Sequence, residues 1–157
     1  MLFRSGCYAE AEKLLLAALK QAEKLGPNDP RLTASLNNLA GLYEDQGKDA
    51  QAEPLYQRSL AILEKSLGPD HPHIALSLNN LAALYDNQGS YTQAEPLYQQ
   101  ALAIREKTVG PDHPKVAESL ENYAALLRKM NREAEAEKLE ARAKAIRDRH
   151  AQENPKE

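Results

Sequence analysis

A fixed period constrains this chain more than any other feature. Leu36 to Tyr56 reads LNNLAGLYEDQGKDAQAEPLY, and Leu78 to Tyr98 reads LNNLAALYDNQGSYTQAEPLY. A degenerate third copy begins at Leu120, LENYAALLRKMNREAEAEKLE. Each copy starts 42 residues after the one before. A period of this size marks a stacked array, in which no unit buries its apolar face alone, and not a single-core globule.

The chain is helical throughout on this reading. In the second copy Ile74, Leu78, Leu81 and Tyr85 recur at i, i+4, i+7 and i+11, one stripe of a 3.6-residue helix. The turns LGPDHP at Leu67 and VGPDHP at Val109 stop one helix with glycine and start the next with proline. Gly47 and Gly89 separate the two helices of a pair, and Ser90 with Gln93 has the spacing of a capping box. The expected helices run over residues 31–45, 49–66, 73–87, 91–108, 115–130 and 133–150. An earlier one continues from Gly6 through Leu14, Leu15, Leu16 and Leu19. Leu2 falls where Tyr43 and Tyr85 fall, so the chain is expected to open in the last turn of a preceding helix. The array then divides into a partial repeat at 1–29 with its second helix only, repeats at 30–71 and 72–113, and a third at 114–157 whose charged last helix suits a cap. Pro54 and Pro96 lie in the second turn of their helices, where each removes a backbone bond. A bend or a late start is expected there.

Composition excludes several classes. With 42% apolar and 27% charged residues in 157, the chain has the make-up of a folded array. A net charge of −3 gives no general attraction to nucleic acid or acidic membranes. No apolar run reaches the length of a membrane span, and the N-terminal residues lack a signal-peptide core. Cys7 is the one cysteine, so no internal disulfide forms and a reducing, cytoplasmic setting is expected. No catalytic constellation or metal-ligand spacing stands out. His71 and His113 are equivalent turn residues beside proline, read as structural or solvated. No enzyme activity, cofactor or metal is expected.

These residues resemble tetratricopeptide repeats of the 42-residue kind found in kinesin light chains. The resemblance runs from about Gly6 to about Asp148. It rests on small residues at Ala40, Ala82 and Ala124, at Ala52, Ala94 and Ala136, and at Ser59, Ala101 and Ala143, with tyrosines at 43, 85, 56 and 98. It implies an all-α, right-handed α-solenoid of antiparallel helix pairs, about seven helices in all. The third repeat departs from the pattern, with Leu127 and Glu140 at the tyrosine positions.

The resemblance also implies a function: a protein-interaction scaffold that holds an extended or helical peptide in a concave groove lined by the first (A) helix of each pair. The matching amides are Asn38, Asn80 and Asn122. Asn37 and Asn79 beside them are weaker candidates. An amide offers a peptide unit both donor and acceptor, or it bridges neighbouring helices; the residues leave both roles open. Further groove positions are Ala34, Gly41, Glu44 and Asp45 in the first repeat, and Leu76, Ala83, Asp86 and Asn87 in the second. Glu118, Glu121, Ala125, Arg128 and Lys129 follow in the third. The acidic first two repeats favour a protein or peptide partner with a basic portion. Asp86 and Arg128, one repeat apart, could instead pair with each other. A second expectation is a structural or oligomerising role, through an exposed apolar face on the N-terminal helix.

Overall fold

The computed structural model describes the backbone of residues 2–154 and the side chains of residues 7–154. These residues form seven α-helices and no strand. They fall into two compact units, Met1–Pro69 and Asp70–Glu157. The first holds α1 (Leu2–Glu23), α2 (Leu32–Asp45) and α3 (Asp49–Leu67). The second holds α4 (Pro72–Asn87), α5 (Tyr91–Val109), α6 (Pro114–Lys129) and α7 (Glu133–Glu153). Within each unit every helix packs on the next in sequence. The A helices are α2, α4 and α6; α3, α5 and α7 are their B partners. No helix among the described residues is long and apolar enough to cross a membrane.

The small residues decide the packing. Ala40, Ala82, Ala124, Ala52, Ala94, Ala136, Ser59 and Ala101 are fully buried, and Ala143 nearly so. Two helix backbones approach closely only where the side chains between them are this short, and the neighbouring large residues then fill the space on either side. On α2 those are Leu32, Leu36, Leu39 and Tyr43, and on α4 Ile74, Leu78, Leu81 and Tyr85. At the last pair, Val116, Ala117 and Leu120 of α6 meet Ala143 and Ile146 of α7 in one apolar cluster.

Backbone bonds set the turn inside each pair. Lys48 N–H donates to Tyr43 O at 2.8 Å, Ser90 N–H to Tyr85 O at 2.8 Å and Arg132 N–H to Leu127 O at 2.9 Å. Inside each lies a second bond that closes a smaller turn, from Gly47, Gly89 and Asn131 to the carbonyls of Glu44, Asp86 and Arg128. This is the Schellman arrangement, which needs a left-handed residue at its corner. Gly47 and Gly89 have φ of 68° and 75°, and Asn131 takes the same place with φ 59°. Asparagine is among the few side chains that accept this conformation.

Three expectations are corrected. Ser90 makes no side-chain capping bond; its N–H is committed to the Schellman turn and its backbone is bent away from the extended capping conformation. Of the bend or late start expected at Pro54 and Pro96, the late start is absent. The two helices begin at Asp49 and Tyr91, in register with α7, which carries Lys138 at that position. Gly6 does not separate two helices, because α1 runs unbroken from Leu2 to Glu23. The residues before Gly6 extend the second helix of the partial repeat.

Candidate peptide-binding surface

The A helices present one repeated stripe. On α4 it is Leu76, Asn80, Ala83 and Asn87, at i, i+4, i+7 and i+11, and on α6 Glu118, Asn122, Ala125 and Lys129. On α2 it is Ala34, Asn38, Gly41 and Asp45. All twelve are exposed or half-buried, while the opposite stripe of each helix is core. The helical period that buries the leucines therefore leaves these positions outward.

In the second unit the stripes of α4 and α6 border a pocket. It has a volume of about 320 Å³, and Leu76, His73, Lys115, Glu118, Arg105 and Thr108 are among its walls. Leu76 is 48% exposed, a large apolar side chain at the mouth. Arg105 is only 7% exposed. It donates to Lys115 O at 2.9 Å and Ser119 Oγ at 3.0 Å, and pairs with Glu118 at 3.4 Å. The buried guanidinium ties the end of α5 to the first turns of α6. The repeat pattern gave one sign of it, a charged residue where the preceding repeat has Leu63.

The amides divide by role. Asn122 Nδ2 donates to Asn79 Oδ1 at 3.2 Å, so this pair bridges α6 and α4. Asn38 is exposed and Asn80 half-buried, and neither has a side-chain hydrogen bond among the described residues. Asn37 keeps a buried Oδ1 without a partner. The bridging role thus holds for Asn122 with Asn79, and peptide contact stays open to Asn38 and Asn80.

Most of the charged candidates are drawn into ion pairs. Lys129 holds Asp86 through both carboxylate oxygens at 2.8 Å, in place of the expected Asp86–Arg128 pair. Arg128 turns instead to α7, where it grips Glu140 twice at 2.7 Å and also meets Glu133. Arg147 of α7 holds Glu121 at 2.6 Å and keeps that carboxyl below its usual range. The Arg128–Glu140 and Arg147–Glu121 pairs are largely exposed and of a kind worth about 0–1 kcal/mol, so a ligand could displace them, whereas the Asp86 carboxylate is nearly buried beneath Lys129. In the first unit Tyr56 donates to Glu44 at 3.1 Å, and burial raises the tyrosine pKa beyond its ordinary value. Asp45 stays exposed with no ion pair.

The tyrosine hydroxyls obey one rule with a relocated member. Tyr43 of α2 donates to Glu12 of α1 at 2.9 Å. Glu95 of α5 stands at the position of Glu12, but its neighbour in register on α6 is Leu127, which has no donor. Tyr123, one turn earlier on the same face, donates to Glu95 at 2.8 Å, and Arg132 pairs with that carboxylate at 2.6 Å. Tyr123 also accepts from Gln99 at 2.7 Å. Sequence reasoning passed over Tyr123, because it lies outside the aromatic positions of the repeat.

Comparison with known proteins agrees with this architecture. The tetratricopeptide repeat pattern matches residues 1–65, 32–107 and 74–149. No curated protein matches the chain significantly. Among solved structures, BtubC (BKLC) from P. vanneervenii superposes with a TM-score of 0.85 at 27% identity, over 92% of this chain and 58% of that one. The chain therefore spans under two thirds of BtubC. A candidate kinesin light chain from Podosopora anserina, with nearly identical TPR-like repeats, is 30% identical over 94% of this chain and 70% of its own, with a TM-score of 0.80. The N-terminal domain of stress-induced protein-1 from C. elegans shares the fold at 14% identity, with a TM-score of 0.60 over 74% of this chain and 85% of that one. With the packing code, the seven helices and these matches together, the chain belongs to the tetratricopeptide repeat family, as an all-α solenoid of the kinesin light chain type.

Proposed function

We propose that the chain binds an extended or helical segment of a partner protein along the outward stripes of its A helices. Tetratricopeptide repeats generally serve as protein-interaction scaffolds, and this chain is one in that general sense. The observation that carries the finer reading is the pair of unoccupied amides, Asn38 and Asn80, at one position of successive stripes. Asparagine is a mediocre helix former, so its recurrence mid-helix calls for a role. A main-chain peptide unit satisfies both halves of the amide. The pocket beside Leu76 takes a side chain of the bound segment, and Glu44 and Asp45 favour a partner with a basic portion. Cys7, exposed and free, fits a reducing, cytoplasmic setting.

The test uses peptides selected from a displayed random library by the intact chain. The Asn38→Ala/Asn80→Ala variant should keep its helicity and melting temperature, and lose affinity about tenfold, on the order of one net hydrogen bond per amide. Unchanged affinity in a folded variant would sink the reading.

Exposed leucines favour a second reading. Leu14 is 62% and Leu16 44% exposed on α1, against 9% for Leu19, which faces the core. The two stand on either side of the face that Leu19 buries, each an apolar side chain left uncovered. In this reading α1 packs on a second copy of the chain. Sedimentation should then show a concentration-dependent dimer that Leu14→Glu/Leu16→Glu abolishes; a monomer at high concentration refutes it.

A further inference from the structure

The three turns that lead into the A helices share one device. Asp29, His71 and His113 stand 42 residues apart, each before a proline. Asp29 Oδ1 accepts from Arg31 N–H at 2.9 Å. His71 Nδ1 accepts from His73 N–H at 3.2 Å, and His113 Nδ1 from Lys115 N–H at 3.1 Å. The two histidines each satisfy one of the donors that a helix start leaves open, whereas Asp29 holds the N–H of Arg31, one residue ahead of α2.

The two chemistries differ in acid. Arg31 holds the Asp29 carboxyl down to about 2, so that turn outlasts mild acid. An imidazole accepts at Nδ1 only while that nitrogen carries no proton. Once protonated it sets N–H against N–H and places a cation at the positive end of the helix dipole. The two residues capped by histidine, His73 and Lys115, are also walls of the 320 Å³ pocket.

We propose that His71 and His113 make this pocket acid-sensitive: their protonation releases the first turns of α4 and α6 and weakens partner binding there, while the Asp29 turn ahead of α2 holds. The binding half rests on the peptide-recognition reading above. The carboxylates next to the two rings are each engaged with another cation. Asp70, next to His71, pairs with Lys107 of α5. Asp112, next to His113, pairs with Arg149 of α7. His73 sets its ring edge-on to that of His71 at 5.0 Å, and Lys115 stands two residues beyond His113. Arg142 of α7 reaches Pro111 O in the same turn and pairs with Glu106 of α5.

The experiment is nitrogen-15 NMR on the full chain from pH 8 to pH 5, beside the His71→Asp/His113→Asp variant. At pH 8 both rings should carry their proton on Nε2. On acidification the His73 and Lys115 amides should lose protection against exchange by about fivefold, the size of one lost cap. The Arg31 amide should keep its protection, and in the variant all three should keep theirs. A library-selected peptide should bind the wild type about fivefold more weakly at pH 5 than at pH 8, and the variant equally at both. Protection retained at pH 5, or a proton on Nδ1 at pH 8, overturns the proposal. So does equal acid sensitivity in the variant, which would assign the effect to His73 or His150. Protection lost on schedule with no peptide ever selected upholds the cap switch and refutes the peptide-recognition reading.

Discussion

Single side chains show where the repeat is imperfect and by how much. Gly41 lies mid-helix in α2, where the later repeats have Ala83 and Ala125. A Cβ there would stand 3.7 Å from the Tyr56 hydroxyl, an ordinary contact. Gly41→Ala should therefore stabilise the chain by about 0.5–1 kcal/mol, because alanine loses less backbone freedom on folding. Urea denaturation checks this, and a destabilised variant would mean that the tyrosine cannot give way. Asn131 shows what the repeat could not reveal. Its left-handed backbone is that of Gly47 and Gly89, but asparagine is compatible with a helix as well as a corner. Its positive φ and the paired bonds to Leu127 O and Arg128 O identify the turn.

At the level of the helix, period and stop signals carry most of the information. The six expected segments from residue 31 to residue 150 reproduce α2 to α7 with small differences at the ends, most at the last, because leucine stripes and Gly-Pro turns act locally. Capping did not follow so directly. Ser90 and Gln93 have the right spacing, but the Schellman turn commits the Ser90 N–H before any side chain can act. The caps that do form use His71 and His113, residues that rank low as helix starters and so gave little signal. Links between helices were the least legible, since a hydroxyl can reach a carboxylate from more than one turn. Tyr123 is the example. Tyr123→Phe should cost about 1–3 kcal/mol, the net worth of its two hydrogen bonds, to Glu95 and from Gln99, although Arg132 still attends Glu95. Thermal unfolding of that variant tests it; no change would mean that Arg132 alone satisfies the carboxylate.

Across the whole chain, the fold was far more legible than the surface it presents. Packing positions are confined to small or apolar residues, so Ala40, Ala82 and Ala124 identify themselves by composition and spacing. Outward positions carry no such restriction. Whether Asn122 meets a ligand or Asn79 depends on a distance between helices, which no single stretch of sequence contains. The relocated tyrosine has a bearing on how such arrays grow. If repeats multiplied by duplication, a copy of the third moved into another slot would carry its donor one turn early and leucine where a tyrosine normally stands. It could anchor its neighbour only by keeping both changes together. Residues 123 and 127 are then inherited as a linked pair, and a graft that exchanges one without the other leaves two hydroxyls crowding one carboxylate or none reaching it.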